Sequence, residues 1–133
     1  MASAFEVFLV TPEREVWSGQ ATILIARGSE GEIGIQNGHA PLLIHLGIGP
    51  LFIQPAEGER LAAAVDGGFL HVMTAQDETR VDILAEHAEL DSEIDLDEAR
   101  RQQAEAERRL QERDNGAALA MLAKAQMRIS LRG

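Results

Sequence analysis

The sequence predicts a β-sandwich or barrel of short strands followed by an antiparallel helical hairpin, and three observations carry that reading. Up to about residue 86, apolar and polar residues alternate with period two, as strands with one buried face do. Turn residues break the alternation roughly every 8–12 residues, the spacing of an all-β sandwich or barrel. From Leu96 onward the apolar or small positions Leu96, Ala99, Gln103, Ala106 and Leu110 recur at intervals of three and four, which marks one helix face.

The elements follow in order. Phe5–Val10 reads as a strand closed by the turn Thr11-Pro12-Glu13-Arg14. Glu15-Val16-Trp17 and Ala21–Ala26 are further strands, separated by Ser18-Gly19. After the turn cluster Gly28-Ser29-Glu30-Gly31-Glu32, Ile33-Gly34-Ile35 resumes. Leu42–Leu46 and Leu51–Ile53 come next, then Arg60–Val65, Phe69–Met73 behind Gly67-Gly68, and Arg80–Leu84. Near Glu89 the pattern changes. Ser92-Glu93-Ile94-Asp95 offers capping residues, and Asp95 with Glu98 three positions on resembles a capping box. Asp114-Asn115-Gly116 signals a helix stop, and an alanine-rich helix follows from about Ala117 to Leu131. Two helices joined by so short a turn pack antiparallel. They face each other largely with Ala and Gln, which contribute little at roughly 25 cal/mol per Å2 of apolar area. Such a hairpin must lean on the sandwich or on a partner, and it can leave.

Composition narrows the function. The chain has 133 residues, 45% of them apolar and no cysteine, which excludes disulfide scaffolds, thiolate metal sites and cysteine nucleophiles. A formal net charge of −10 disfavours nucleic acid and anionic membrane surfaces. Residues 1–90 carry 13 acidic and 4 basic side chains and residues 91–133 carry 9 and 8, so the two halves are built for different neighbours. The N-terminus lacks the features of a signal or transit peptide. The longest apolar stretch, Leu42–Ile53, is interrupted by His45, Gly47, Gly49 and Pro50 and is too short to span a bilayer.

No motif points to catalysis. Gly28-Ser-Glu-Gly31-Glu-Ile-Gly34 lacks the Gly-Lys-Ser/Thr ending of a phosphate loop, and Glu30 and Glu32 would repel phosphate, so a tight hairpin fits better. Glu30 and Glu32 could be paired carboxylates of a small hydrolase, but no aromatic sugar platform is evident. His39, His45, His71 and His87 have no metal-ligand spacing. Asp97 with Arg100 and Arg101 has the spacing of a surface ion pair. Lys124, Arg128 and Arg132 lie four apart on one stripe, with no acidic residue after Asp114. Two readings of that stripe stay open: dipole complementarity with solvation, or a cationic face for an acidic partner or polyphosphate.

Gly28-Ser-Glu-Gly-Glu-Ile-Gly-Ile35, Gly38-His-Ala-Pro-Leu42, Asp66-Gly-Gly-Phe-Leu-His-Val72, Val81-Asp-Ile-Leu-Ala85 and Leu96-Asp-Glu-Ala-Arg100 occur in this order across essentially the whole chain. Together they closely resemble the epsilon subunits of rotary, proton-translocating ATP synthases. The resemblance implies a flattened sandwich of about ten strands over residues 1–86, docking the gamma subunit and the c-ring. Residues 87–133 would form a mobile two-helix regulatory domain. It implies a non-catalytic central-stalk subunit that couples proton flow to ATP synthesis and can restrain hydrolysis by extending its helices toward the alpha/beta ring. Glu32 and His39 match the rotor and c-ring contacts, and Lys124, Arg128 and Arg132 the inhibitory cationic face. No cofactor is required. Some members hold a regulatory ATP through a pattern that Leu96, Asp97 and Arg100 match here, although its final Ala is replaced by Arg101. The implied location is peripheral, on the cytoplasmic face of a bacterial plasma membrane, without direct membrane insertion. A nucleotide-sensing module and a hydrolase using Glu30 and Glu32 are the competing classes.

Overall fold

The computed structural model describes residues 3–28, 30–112 and 116–132. Six strands come first: β1 (Phe5–Val10), β2 (Glu15–Gly28), β3 (Gly31–Ile35), β4 (Leu42–Pro55), β5 (Leu61–Ala75) and β6 (Glu78–Leu90). A single 3₁₀ turn, Asp91–Glu93, leads to helices α1 (Leu96–Glu112) and α2 (Gly116–Arg132). Ser29 of the first glycine turn, and Asp114 and Asn115 of the expected helix stop, lie outside the described residues.

The strands run in the order β1-β6-β5-β4-β2-β3, and β1 also pairs with β2, so the sheet closes on itself. Among the described residues only β1 and β6 pair in parallel. Closure is driven by side chains that alternate inward: Phe5, Val7 and Leu9 on β1, Leu70 and Val72 on β5, Val81 and Ile83 on β6 are all at most 2% exposed. They meet Leu24, Ile35, Leu51 and Ile53 in one core.

The architecture is the expected sandwich and hairpin, but the strands number six rather than ten. Three expected pairs of short strands are single long ones, because the residues between them bend the ladder without ending it. In β4 the core-facing positions shift from Leu46 to Gly49, Leu51 and Ile53, with Gly47 between. In β5 they shift from Ala63 and Val65 to Leu70 and Val72, with Gly67 and Gly68 between. The register stays continuous, Leu46 facing Gly68 and Ile48 facing Asp66. One side-chain parity thus gives way to the other at a shared glycine corner, where both strands cross between layers. In β2, register shifts at Ala21/Ile23 and Ala26/Gly28 serve the same bending. The sandwich therefore has two outer faces, built from opposite ends of the same strands.

The hairpin covers one of them. Helix α2 lies on β4 and β5, and α1 packs on α2. The helices meet through fully buried alanines, Ala99 and Ala106 on α1 with Ala118 and Ala125 on α2, so the α1 face read from the sequence is the one that packs. Asp95 caps α1 by accepting the Glu98 amide at 3.0 Å. The reciprocal half of the capping box is replaced, since the Glu98 carboxylate accepts from Gln102 and Arg128 instead. The ion pairs of α1 lie further along than Asp97: Arg108 binds Glu105 and Glu112, and Arg109 binds Glu105. Hydrogen bonds from Arg108 and then Arg109 hold the Glu105 carboxyl down at about 2. These contacts belong to α1 alone and support its helicity by about 0.2–0.5 kcal/mol each.

Candidate functional site

Three features stand out on this scaffold: an ionic latch under α2, a bare apolar sheet face, and a braced loop around His39.

The latch centres on Arg128, whose side chain is only 12% exposed. Its Nε donates to Glu89 on β6 at 2.5 Å, and its Nη1 donates to Glu98 at 3.2 Å and Gln102 at 2.8 Å on α1. Burial alone would lower the guanidinium's pKa, but the hydrogen bond to Glu89 and the charges of Glu89 and Glu98 outweigh it and leave it raised. One turn earlier, Lys124 pairs with Asp66 on β5. The pairs to Asp66 and Glu89 cross to the sandwich, whereas those to Glu98 and Gln102 stay inside the hairpin. An open cleft of about 420 Å3 runs beside them, lined among others by Thr11, Arg14, Ala64, Asp66, Met127 and Arg128. Ala64, 5% exposed, and Met127 give it an apolar floor. Arginine suits this hub because its planar fork can serve several acceptors while remaining charged.

Among the described residues no helix covers the other layer's outer face. The ladders align His45, Phe69, Leu84 and Val10 in one row across β4, β5, β6 and β1. The next row is Leu43, His71, Asp82 and Phe8, and beyond it lie Met73, Arg80 and Glu6. All occupy the outward parity. Leu43, Phe69, Met73 and Leu84 are 65%, 50%, 40% and 56% exposed, four of the five exposed large apolar side chains among the described residues. Scattered apolar residues are normal on a surface, but a contiguous row of them marks an interaction face. His45 packs edge-on against Phe69, with ring centroids 5.3 Å apart. Arg80 sits 4.4 Å over the Phe8 ring while paired with Asp82. Its pKa is raised by that hydrogen bond. These contacts set His45 against Phe69 and Arg80 against Phe8 within the face.

His39 is half-buried at the end of a loop that a buried threonine organises. Thr79, 4% exposed, accepts the Gly38 amide at 2.7 Å and contacts the Thr74 hydroxyl at 2.8 Å. Thr74 donates to the His39 carbonyl at 2.6 Å, and Asn37 bridges the Thr79 amide and the Asp77 carbonyl. The loop is thereby tied to the β5–β6 turn, whose Gln76 and Asp77 both have positive φ. Thr79→Val removes the central hydroxyl and takes a partner from both the Gly38 amide and the Thr74 hydroxyl in a part-buried network, at a cost of about 1–3 kcal/mol. A urea titration showing a loss under about 0.5 kcal/mol would mean the network does not brace the loop.

Glu32 is exposed opposite Arg27 in the β2–β3 ladder, beside a surface hollow shared with Glu30, Leu43 and His45. The structure does not join it to His39 in one site. Leu96, Asp97 and Arg100 do not line the latch cleft, and Asp97 and Arg100 are exposed. Of the cationic stripe, Lys124 and Arg128 face the sandwich, whereas Arg132 is exposed at the end of α2. The sequence marks Glu98 only as a capping residue and does not mark Asp66, Glu89 or Gln102 as partners of the cationic stripe. Their partners lie 26 or more residues away, and no local spacing signals that. Among the described residues no cluster of His, Asp and Glu could hold a metal ion, and no helix is long and apolar enough to cross a membrane.

Comparison with known proteins gives a consistent result. Residues 4–91 match the family described as ATP synthase, Delta/Epsilon chain, beta-sandwich domain. A relative from Streptomyces coelicolor, named ATP synthase epsilon chain, is 43% identical over 106 residues, covering 80% of this chain and 82% of that one. One of the same name from Nocardia farcinica is 52% identical over 96 residues, 71% of each chain. The fold recurs in the mitochondrial ATP synthase of Euglena gracilis, an OSCP/F1/c-ring structure, with a TM-score of 0.73 at 23% identity. That match covers 97% of this chain and 77% of the other.

Proposed function

This chain belongs to the ATP synthase delta/epsilon family and is an epsilon-type subunit of that membrane-associated complex, and on that premise we propose that it works as a non-catalytic rotor subunit with a releasable inhibitor arm. The bare face Leu43–Phe69–Leu84–Val10 docks the gamma subunit. The braced His39 loop and Glu32 meet the gamma subunit and the c-ring, and the chain lies peripherally on the cytoplasmic face of a bacterial plasma membrane. A rim carboxylate such as Glu32 chiefly sets orientation there.

The observation that supports the inhibitor role is that cations of the stripe are the ones that hold the hairpin to the sandwich. Lys124 and Arg128 hold the hairpin closed by pairing with Asp66 and Glu89. With the hairpin released they join Arg132 on a single exposed stripe that fits an acidic surface of the alpha/beta ring. Closed and open states are near in energy, because the helices bury mostly alanine and the latch ions are partly solvated and regain water on release. Closure needs no nucleotide, since carboxylates already match these cations. A regulatory ATP on Leu96, Asp97 and Arg100 would act in addition, and calorimetry with MgATP on the isolated chain, showing heat or none, decides that point.

The test separates latch from inhibitor. Asp66→Asn with Glu89→Gln frees the hairpin but leaves every cation in place. It should shift the population toward the open state about 10-fold, roughly 1.4 kcal/mol, and deepen inhibition of ATP hydrolysis in the reconstituted complex. Arg132→Ala should relieve inhibition without opening the latch. The proposal fails if the double variant hydrolyses ATP as the unaltered complex does, or faster.

A further inference from the structure

We propose that the hairpin swings on Asp95, and that the segment Asp91–Ile94 before it stays bolted to the sandwich by the Arg14–Glu93 pair. The sequence places the domain boundary near residue 86, yet β6 runs on to Leu90, and the hydrogen bonds of Glu93 run backward, to Arg14 and Leu90. Glu93 receives both Arg14 terminal nitrogens, at 3.0 and 2.9 Å, and its Oε1 also accepts the Leu90 amide at 2.9 Å. Arg14 is itself held in the β1–β2 turn, where Thr11 accepts its amide through Oγ1 and donates to its carbonyl through the backbone. The Arg14 hydrogen bond, with the Leu90 amide, keeps the Glu93 carboxyl below its ordinary pKa, consistent with a bond made in the folded state.

Within the segment, the Ser92 amide donates to Asp91 Oδ1 and the Ile94 amide to the Asp91 carbonyl. The Ile94 side chain is 4% exposed, and the 3₁₀ turn packs against both β5 and α2, so release costs it the α2 contacts but none of its hydrogen bonds to the sandwich. Helix α1 then satisfies its own first turn from Asp95, whose side chain takes the Glu98 amide and whose carbonyl takes the Ala99 amide. Two self-contained hydrogen-bonded units thus abut at the Ile94–Asp95 peptide. A bend at Asp95 sacrifices no bond of either, whereas a bend at residues 87–93 must break the bidentate pair or unseat Ile94. This assignment rests on the releasable hairpin proposed above and specifies which bonds its release spares.

Amide hydrogen exchange on the full-length chain tests it. In Asp66→Asn/Glu89→Gln, amides of α1 and α2 should exchange at least tenfold faster than in the unaltered chain, while those of Leu90, Ser92 and Ile94 stay within twofold. In Glu93→Gln the order reverses: the three hinge-side amides speed up at least tenfold and the helices do not. If Leu90, Ser92 and Ile94 accelerate together with the helices in the double variant, the latch stands and the pivot at Asp95 is overturned. If no helix amide accelerates, the latch falls and the pivot with it. If Glu93→Gln leaves the three amides unchanged, the Arg14–Glu93 pair is not what holds them.

Discussion

Gly68→Ala should destabilise the chain by at least about 3 kcal/mol or prevent its accumulation as a folded protein. Gly68 has φ +123, and an added Cβ would lie 2.1 Å from the Leu84 carbonyl oxygen and 2.8 Å from the Ala85 Cα. Both are backbone atoms of the paired strand β6 and cannot rotate away. The substitution therefore combines a strained backbone with overpacking, two effects each of order 1–3 kcal/mol. It strikes the corner where β4 and β5 pass from one layer to the other, so both outer faces lose their frame together. Gly34→Ala is the matched control: its Cβ would meet nothing within 4 Å, and a change under about 1 kcal/mol is expected. Equal denaturation midpoints for the two variants would show that the glycine corner is not what shapes the sandwich.

Placing a carboxylate on the bare face should have the second-largest effect, this time on assembly. Phe69→Asp or Leu84→Asp is expected to weaken binding to the gamma subunit about 100-fold, roughly 2.8 kcal/mol. These side chains are 50% and 56% exposed, so the fold itself should lose little. Each sits within the apolar row, where docking would strand the new charge without a partner. Leu119→Asp on α2 is equally exposed, at 53%, but lies off that face and should leave binding intact. Wild-type affinity in Phe69→Asp and Leu84→Asp would move the docking surface elsewhere.

The sequence carried much of this and missed the rest for identifiable reasons. Period-two runs such as Phe5–Val10 declare their strand and their buried side, because one face of β1 meets only core. The α1 stripe was legible for the same reason, with Ala99 and Ala106 on the packed side. Glycines at 47, 67 and 68 were read as breaks. In a closed sheet they act as bends, and only the pairing of Leu46 with Gly68 distinguishes the two. The cationic stripe is visible as spacing, but what chooses between its two explanations is the pair of carboxylates beneath it, Asp66 and Glu89. Those carboxylates come from different strands and reach Lys124 and Arg128 only through tertiary structure. The bare face was hidden similarly: Val10, Leu43, Phe69 and Leu84 are unremarkable apart and meaningful only in register. Glu93 looked like a capping residue and does cap Leu90, but its bond to Arg14, 79 positions away, has no local signature.

Two spin labels would interrogate the central claim, since the chain contains no cysteine to interfere. One is placed at exposed Glu59 in the β4–β5 turn and the other at exposed Ala117 near the tip of the hairpin. Pulsed dipolar spectroscopy on the isolated chain should give one narrow distance, and Asp66→Asn/Glu89→Gln should add a second, longer population while binding to gamma persists. A single unchanged distance in the double variant and in the gamma-bound chain would mean that the helices are a fixed part of the fold.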